Sequence, residues 1–319
     1  MRCSGPDGMP GEGRVDPKPL VKLDWRFRRI FRRLKTAELR KDVATELDPD
    51  GLFAAVVDKF STRYFLGFYS EAGVHTAFER YGIWAALEQQ GLLDPVVRLD
   101  LSDPYLHCAM AYCDGEPTRA NLVSELKARI VHRPATHRFV HELRDDGVDF
   151  LFIEWLLLQN PRRRFRPHRL PLPSQEHPGL GLRFEVFEML VLMAERLGLA
   201  GIVNVPMHYH NARLYKVRAT FIDPKVEGRF RALLRDLQDR SLFEQSWAVH
   251  EGCVIDRRTG DPFEWHGHEQ LCALRRRVRR YFHAADFEAE RDRAFAEHRF
   301  AVDEPKLSRV LGELRAQLD

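Results

Sequence analysis

Apolar positions recur at helical spacing in the first third of the chain and at strand spacing in the middle. In Trp25-Arg-Phe-Arg-Arg-Ile-Phe-Arg-Arg-Leu-Lys35, aromatic and aliphatic residues alternate with arginines as in a short basic amphipathic helix. Such a helix either packs on the domain with its arginines in solvent or offers them to RNA or lipid. From Val74 to Gln90 the spacing predicts a helix, and Gly91 stands where a C-terminal glycine would end it. The period then falls to two. Val97, Leu99 and Leu101 alternate with polar neighbours, as do Leu106, Cys108, Met110 and Tyr112 up to Asp114-Gly115. Leu126, Ala128 and Ile130 alternate with Glu125, Lys127 and Arg129, so these segments read as antiparallel strands. Val148 to Leu158 is apolar on both sides except for Glu154 and stops at Asn160-Pro161, the pattern of a strand in the middle of a sheet.

After a proline- and arginine-rich connection, Glu176-His-Pro-Gly-Leu-Gly-Leu182 leads into an apolar helix over Leu182 to Leu197. Glu185, Glu188, Glu195 and Arg196 are its polar face, so the rest of it must be buried. Gly198 ends it, Ile202 to Met207 reads as a buried strand, Ala212 to Val217 as a short helix and Ala219 to Ile222 as a last strand. Asp223-Pro224 then suits an N-cap followed by proline at the first helical position. Beyond it the pattern is mostly helical, interrupted by a candidate hairpin near Val249 to Trp265.

Composition narrows the class. The 319 residues carry 50 basic and 47 acidic side chains, a near balance that gives no global argument for a nucleic-acid or membrane surface. Five cysteines, none in a C-x-x-C pair, indicate neither a disulfide framework nor a zinc knuckle, and fit a reducing cytoplasm. Apolar runs such as Trp155 to Leu158 and Met189 to Ala194 are far too short to span a membrane. Met1 to Pro19 lacks the apolar region of a signal peptide and reads as a disordered leader.

The candidate chemistry centres on the glycine turn. Gly179 and Gly181 permit backbone conformations in which successive N–H groups converge on an anion where a helix begins. A dinucleotide fingerprint fails at its third position, Phe184, and a Walker A lysine is absent from the sequence. The dense run Arg162-Arg-Arg-Phe-Arg-Pro-His-Arg169 precedes the turn, as a solvated loop or as a source of guanidinium groups for a phosphate, an acidic substrate or RNA. Glu154, a carboxylate in an apolar strand, is a candidate base if burial raises its pKa; the alternative is a carboxylate paired with arginine. His208 and His210 offer another base. Together with His266, His268 and Glu269 they also suggest a hydrolase metal set, although neither histidine pair has metalloprotease spacing and no metal is assigned.

Residues 97 to 222 resemble the GNAT acyl-CoA N-acyltransferases. The family's Arg/Gln-x-x-Gly-x-Gly/Ala loop is matched by Glu176, Gly179 and Gly181, and its closing signature by Asn211, Leu214-Tyr215 and Thr220-Phe221. Glu176 replaces the usual Arg or Gln, Ala219 replaces a glycine, and Asn211 lies close to Tyr215. The resemblance implies an α+β fold with a mixed, mostly antiparallel sheet flanked by helices. Its parts would be a leader (1–20), an N-terminal helical segment (21–96), an acyl-CoA-binding core (97–223) and a mostly helical C-terminal extension (224–319). It also implies acyl-coenzyme A as co-substrate, held by Glu176, His177, Gly179, Leu180, Gly181, Leu182, Arg183 and Asn211, with Tyr215 as acid toward the departing thiolate. Glu154, or His210, would deprotonate an amine acceptor. The extension would cap the acceptor groove or form a homodimer interface. The other readings of the same residues are a GNAT-like binding or scaffolding module that has lost catalysis, and the metal-dependent hydrolase.

Overall fold

The computed structural model describes residues 25–41, 63–132, 148–166 and 170–316. The proposed leader and the last three residues of the arginine run, 167–169, lie outside them. Among the described residues, four helices come first: α1 (Trp25–Arg33), α2 (Thr36–Leu39), α3 (Glu71–Arg80) and α4 (Ile83–Glu88). The helix expected over Val74 to Gln90 is therefore two. Gly82 adopts φ +78°, a left-handed conformation that breaks the helical hydrogen-bond ladder between them.

Strands β1 (Val96–Asp100), β2 (His107–Tyr112), β3 (Leu122–Val131) and β4 (Phe150–Leu158) follow as an antiparallel meander, as the alternation predicts. From β4 the chain passes through the glycine turn and α5 (Arg183–Arg196) to β5 (Gly201–Asn204), which pairs parallel to β4. Then come α6 (Tyr209–Tyr215), β6 (Thr220–Phe221) and α7 (Pro224–Asp236), which Asp223 caps by accepting from the N–H groups of Lys225 and Val226. The remaining elements are α8 (Leu242–His250), β7 (Val254–Asp256), β8 (Gln270–Ala273), α9 (Arg276–Tyr281), α10 (Ala285–Glu297), β9 (Phe300–Val302) and α11 (Glu304–Ala316).

The protein is α+β. Its seven-stranded sheet has the order β1-β2-β3-β4-β5-β8-β6, antiparallel except at β4-β5, so β4 is the central strand. Two features depart from the sequence reading. The segment beyond residue 224 contributes β8, which enters the sheet between β5 and β6. The hairpin expected near Val249 to Trp265 reduces to a bridge between Ile255 and Pro262, and β7 takes β9 as its strand partner.

On one face of the sheet, α5 packs with the N-terminal helices around Leu39, Phe65, Leu151, Ile153, Leu190 and Ile202. The opposite face buries Phe150, Phe152, Val203 and Leu271 against Val278, Tyr281 and Phe287 of α9 and α10. The polar positions of α5 serve as clamps. Arg28 of α1 donates to Glu195 at 2.8 Å, Arg218 donates to Glu188 at 2.8 Å, and Arg196 donates to the Phe31 carbonyl at 2.6 Å. The arginine-rich α1 is thus docked on α5. Cys108, Cys113, Cys253 and Cys272 are buried free thiols. Among the described residues, no helix is long and apolar enough to cross a membrane.

Candidate functional site

The central strand carries an irregularity where the sequence places its one charge. Lys127 of β3 faces Trp155 of β4, whereas the next residue, Ala128, faces Ile153, so Glu154 is the extra residue of a β-bulge. The insertion keeps Leu151 and Ile153 before it, and Leu156 after it, on the α5 face. Glu154 itself is exposed and accepts from Arg129 Nε at 2.7 Å; the guanidinium of Arg129 stacks over Phe152 at 4.8 Å. The burial expected of Glu154 is therefore absent, because the bulge turns it out of the packed strand. It has the arginine partner of the alternative reading, at an exposed site.

The bulge also marks where the sheet opens. β5 pairs with Leu151, Ile153 and the residue between them, and among the described residues no strand covers that side of Glu154 to Leu158. The open edge leaves backbone donors and acceptors without ladder partners next to the glycine turn.

The turn is fastened to the end of β4. Asn160 N–H donates to the Pro178 carbonyl at 2.7 Å, and Gln90 Nε2 at the end of α4 donates to the Leu180 carbonyl at 3.0 Å. Leu180 is buried with Ile83, Leu87 and Val123. Gly181 adopts φ +79°, which accounts for that glycine. Gly179 has no such φ, and a Cβ there would meet its nearest neighbour, the Leu158 carbonyl oxygen, at an ordinary 3.5 Å. Neither its φ nor a close approach among the described residues demands a glycine at 179. Leu182 at the N-cap of α5 offers no side-chain acceptor to the free N–H groups of the first turn, which includes Arg183. His177 is half-buried, and Glu176 projects outward with its carboxylate 3.6 Å from Arg119. Arg162 is held by Asp114 and Asn121, whereas Arg163, Arg164 and Arg166 are exposed. Glu185 brings a carboxylate oxygen into the first turn of α5, buried and without a partner among the described residues.

The other predicted residues lie on α6. Tyr215 packs toward Phe187 of α5, ring centroids 6.2 Å apart, and burial pushes its phenol above the usual range. Tyr215 therefore belongs to the α5 face, while Glu154 with Arg129 and Phe152 belongs to the other. Asn211 sits on the same helix, half-exposed.

His210 turns elsewhere, into a cleft of about 510 Å³ between α6, α8 and the 262–266 segment. Its ring stacks on His208 at 5.3 Å, and His208 lies 6.0 Å from His250. Burial, then the neighbouring His208 and His250, push the pKa of His210 down to about 4. The Glu154, Tyr215 and His210 set of the sequence reading is thus not one cluster. His266 lines the same cleft as His208 and His210, yet among the described residues no three His, Cys, Asp or Glu side chains are arranged to hold a metal ion. His250, Trp265 and Lys306 of this cleft escaped the sequence reading because they come from elements distant in sequence and form no motif.

No family model matches the chain, and no curated protein matches it.

Proposed function

We propose that the protein transfers an acyl group from acyl-coenzyme A to an amine. The observation that carries this reading is the opening between β4 and β5, which sets an unpaired strand edge beside an uncapped helix and a glycine that neither its φ nor a close approach among the described residues demands. The N–H groups from Gly181 into the first turn of α5 would receive the pyrophosphate, and the amides of the pantetheine arm would pair with the open edge of β4. The thioester then lies near the bulge, with Tyr215 on one side to protonate the sulfur and Glu154 on the other to accept the ammonium proton. A buried phenol with a raised pKa stays protonated until the thiolate forms.

Coenzyme A at about 100 times its dissociation constant should stabilise the protein by roughly 2.7 kcal/mol, visible as a rise in melting temperature. Gly179→Ala adds one methyl group in ordinary contact, so the variant should fold normally and bind coenzyme A at least about tenfold more weakly. Retained affinity in the folded variant would sink the loop assignment. Tyr215→Phe should slow turnover by about 100-fold at unchanged coenzyme A affinity. A second reading, a binding module without catalysis, is favoured by the Arg129 partner that occupies Glu154. Coenzyme A binding with no thiol release across a panel of amines would support that reading instead.

A further inference from the structure

We propose that the cleft between α6, α8 and the 262–266 segment binds a small organic anion, a carboxylate on an apolar body of about one ring. This inference does not depend on the acyltransferase reading. Four observations converge on it. His210 lines the cleft with only 5% of its surface exposed, and its Nδ1 is buried without a partner. A polar side chain so enclosed is normally satisfied, and none of the described residues satisfies it.

The wall holds one ammonium, Lys306, and one carboxylate, Glu264, which lies at the exposed rim beside His266. Lys306 of α11 donates to the Gly252 carbonyl at 3.1 Å, and among the described residues no carboxylate lies within ion-pair distance of it. Of the imidazoles, His266 has Glu264 at 3.8 Å and His250 has Glu251 at 4.0 Å. The groups that act electrostatically on His210 are His208 and His250, both opposing its protonation. Burial is the larger cause for both rings, and His250 also opposes the protonation of His208.

Part of the remaining surface is apolar. Phe263 and Trp265 line the cleft with Val249 and Met207, and the indole N–H of Trp265 is already used on the Pro206 carbonyl at 3.1 Å. That ring offers its surface, not its donor. An anion set among Lys306, His208 and His210 would reverse the balance that keeps the imidazoles neutral, so binding would draw in a proton. The apolar part of the ligand would cover Phe263 and Trp265. Affinity should accordingly rise as pH falls.

The test is titration calorimetry of the full chain with benzoate and with benzamide, a neutral molecule of nearly the same shape. Benzoate should bind at least about tenfold more tightly than benzamide, and its affinity should increase about tenfold from pH 7.5 to pH 5.5. Comparing buffers of different ionisation enthalpy should show uptake of about one proton. His210→Asn and Lys306→Met should each lower benzoate affinity about tenfold. Lys306 lies on the cleft wall, so its variant keeps the test valid if His210→Asn does not fold. Equal binding of the two probes, no binding of either at millimolar concentration, affinity independent of pH, or unchanged affinity in the folded Lys306→Met variant would each overturn the proposal.

Discussion

At the scale of single residues, four histidines, His107, His208, His210 and His268, oppose stability in acid. His210 is neutral in the folded chain, its pKa held at about 4, whereas in the unfolded chain it titrates near the ordinary 6.5. As pH falls below 6.5 the unfolded state takes up a proton that the folded state refuses. The stability that His210 contributes is thus complete above that value and is lost on the way down to about pH 4, by about 3 kcal/mol. His107, His208 and His268 are depressed in the same direction. Their shared effect is removed by comparing the wild type with His210→Asn. Chemical denaturation at pH 7 and pH 4.5 should show a smaller acid loss in the variant; parallel losses would mean that His210 is protonated in the fold. Glu227 does not confuse the comparison. Burial pushes its carboxyl up, but Lys216 and Arg231, both at 2.7 Å, prevail and hold it below its ordinary range, so its contribution is lost only at lower pH.

At the scale of elements, the bulge in β4 is a separable insertion. With Glu154 removed, Trp155 would follow Ile153 directly, and Leu151, Ile153, Leu156 and Leu158 would keep strict alternation on the α5 face. The deletion sacrifices an exposed pair with Arg129, worth at most about 1 kcal/mol. A chain lacking Glu154 should therefore fold with a melting temperature within a few degrees of the wild type while losing any function built on the bulge. Thermal unfolding checks the first half of this expectation and coenzyme A-dependent thiol release the second. A variant that fails to fold would show that the bulge holds the sheet together. The same strand explains why α5 can be so apolar. Two of its polar side chains, Glu195 and Glu188, are taken by Arg28 and Arg218, which tie the N-terminal helices and the approach to β6 to the central helix.

At the scale of the whole molecule, β8 decides what can fold alone. It pairs with β5 through Gly201 to Asn204 and with β6 through Thr220 and Phe221, while β5 and β6 do not pair with each other. A chain ending at residue 223 would leave β6 without a strand partner and strip one edge from β5. It would also expose Phe150, Phe152, Val203 and Phe221, which the later segment covers. Truncation after residue 223 should yield an aggregating or molten product, measured by near-ultraviolet circular dichroism and cooperative urea unfolding. A soluble fragment with a sharp transition would make the C-terminal segment a separable extension.

Local pattern was enough to reveal β1 to β4, the helix after the glycine turn and the Asp223 cap, because alternation and capping depend on near neighbours along the chain. The glycine turn was legible for the same reason: positive φ at Gly181 is a local demand. Partnership across the chain was not legible. Four residues at Gln270 to Ala273 carry too short a pattern to announce a strand, and their place between β5 and β6 follows from two open edges that exist only once the sheet has formed. The exposure of Glu154 was likewise decided by its register against β3, since an apolar run does not reveal which of its residues a bulge will expel. His210 and Tyr215 are five residues apart on one helix, and the sequence assigned both to the same chemistry. Helical geometry turns them to different sides, and packing then delivers one to α5 and the other to a cleft completed by His250 and Lys306.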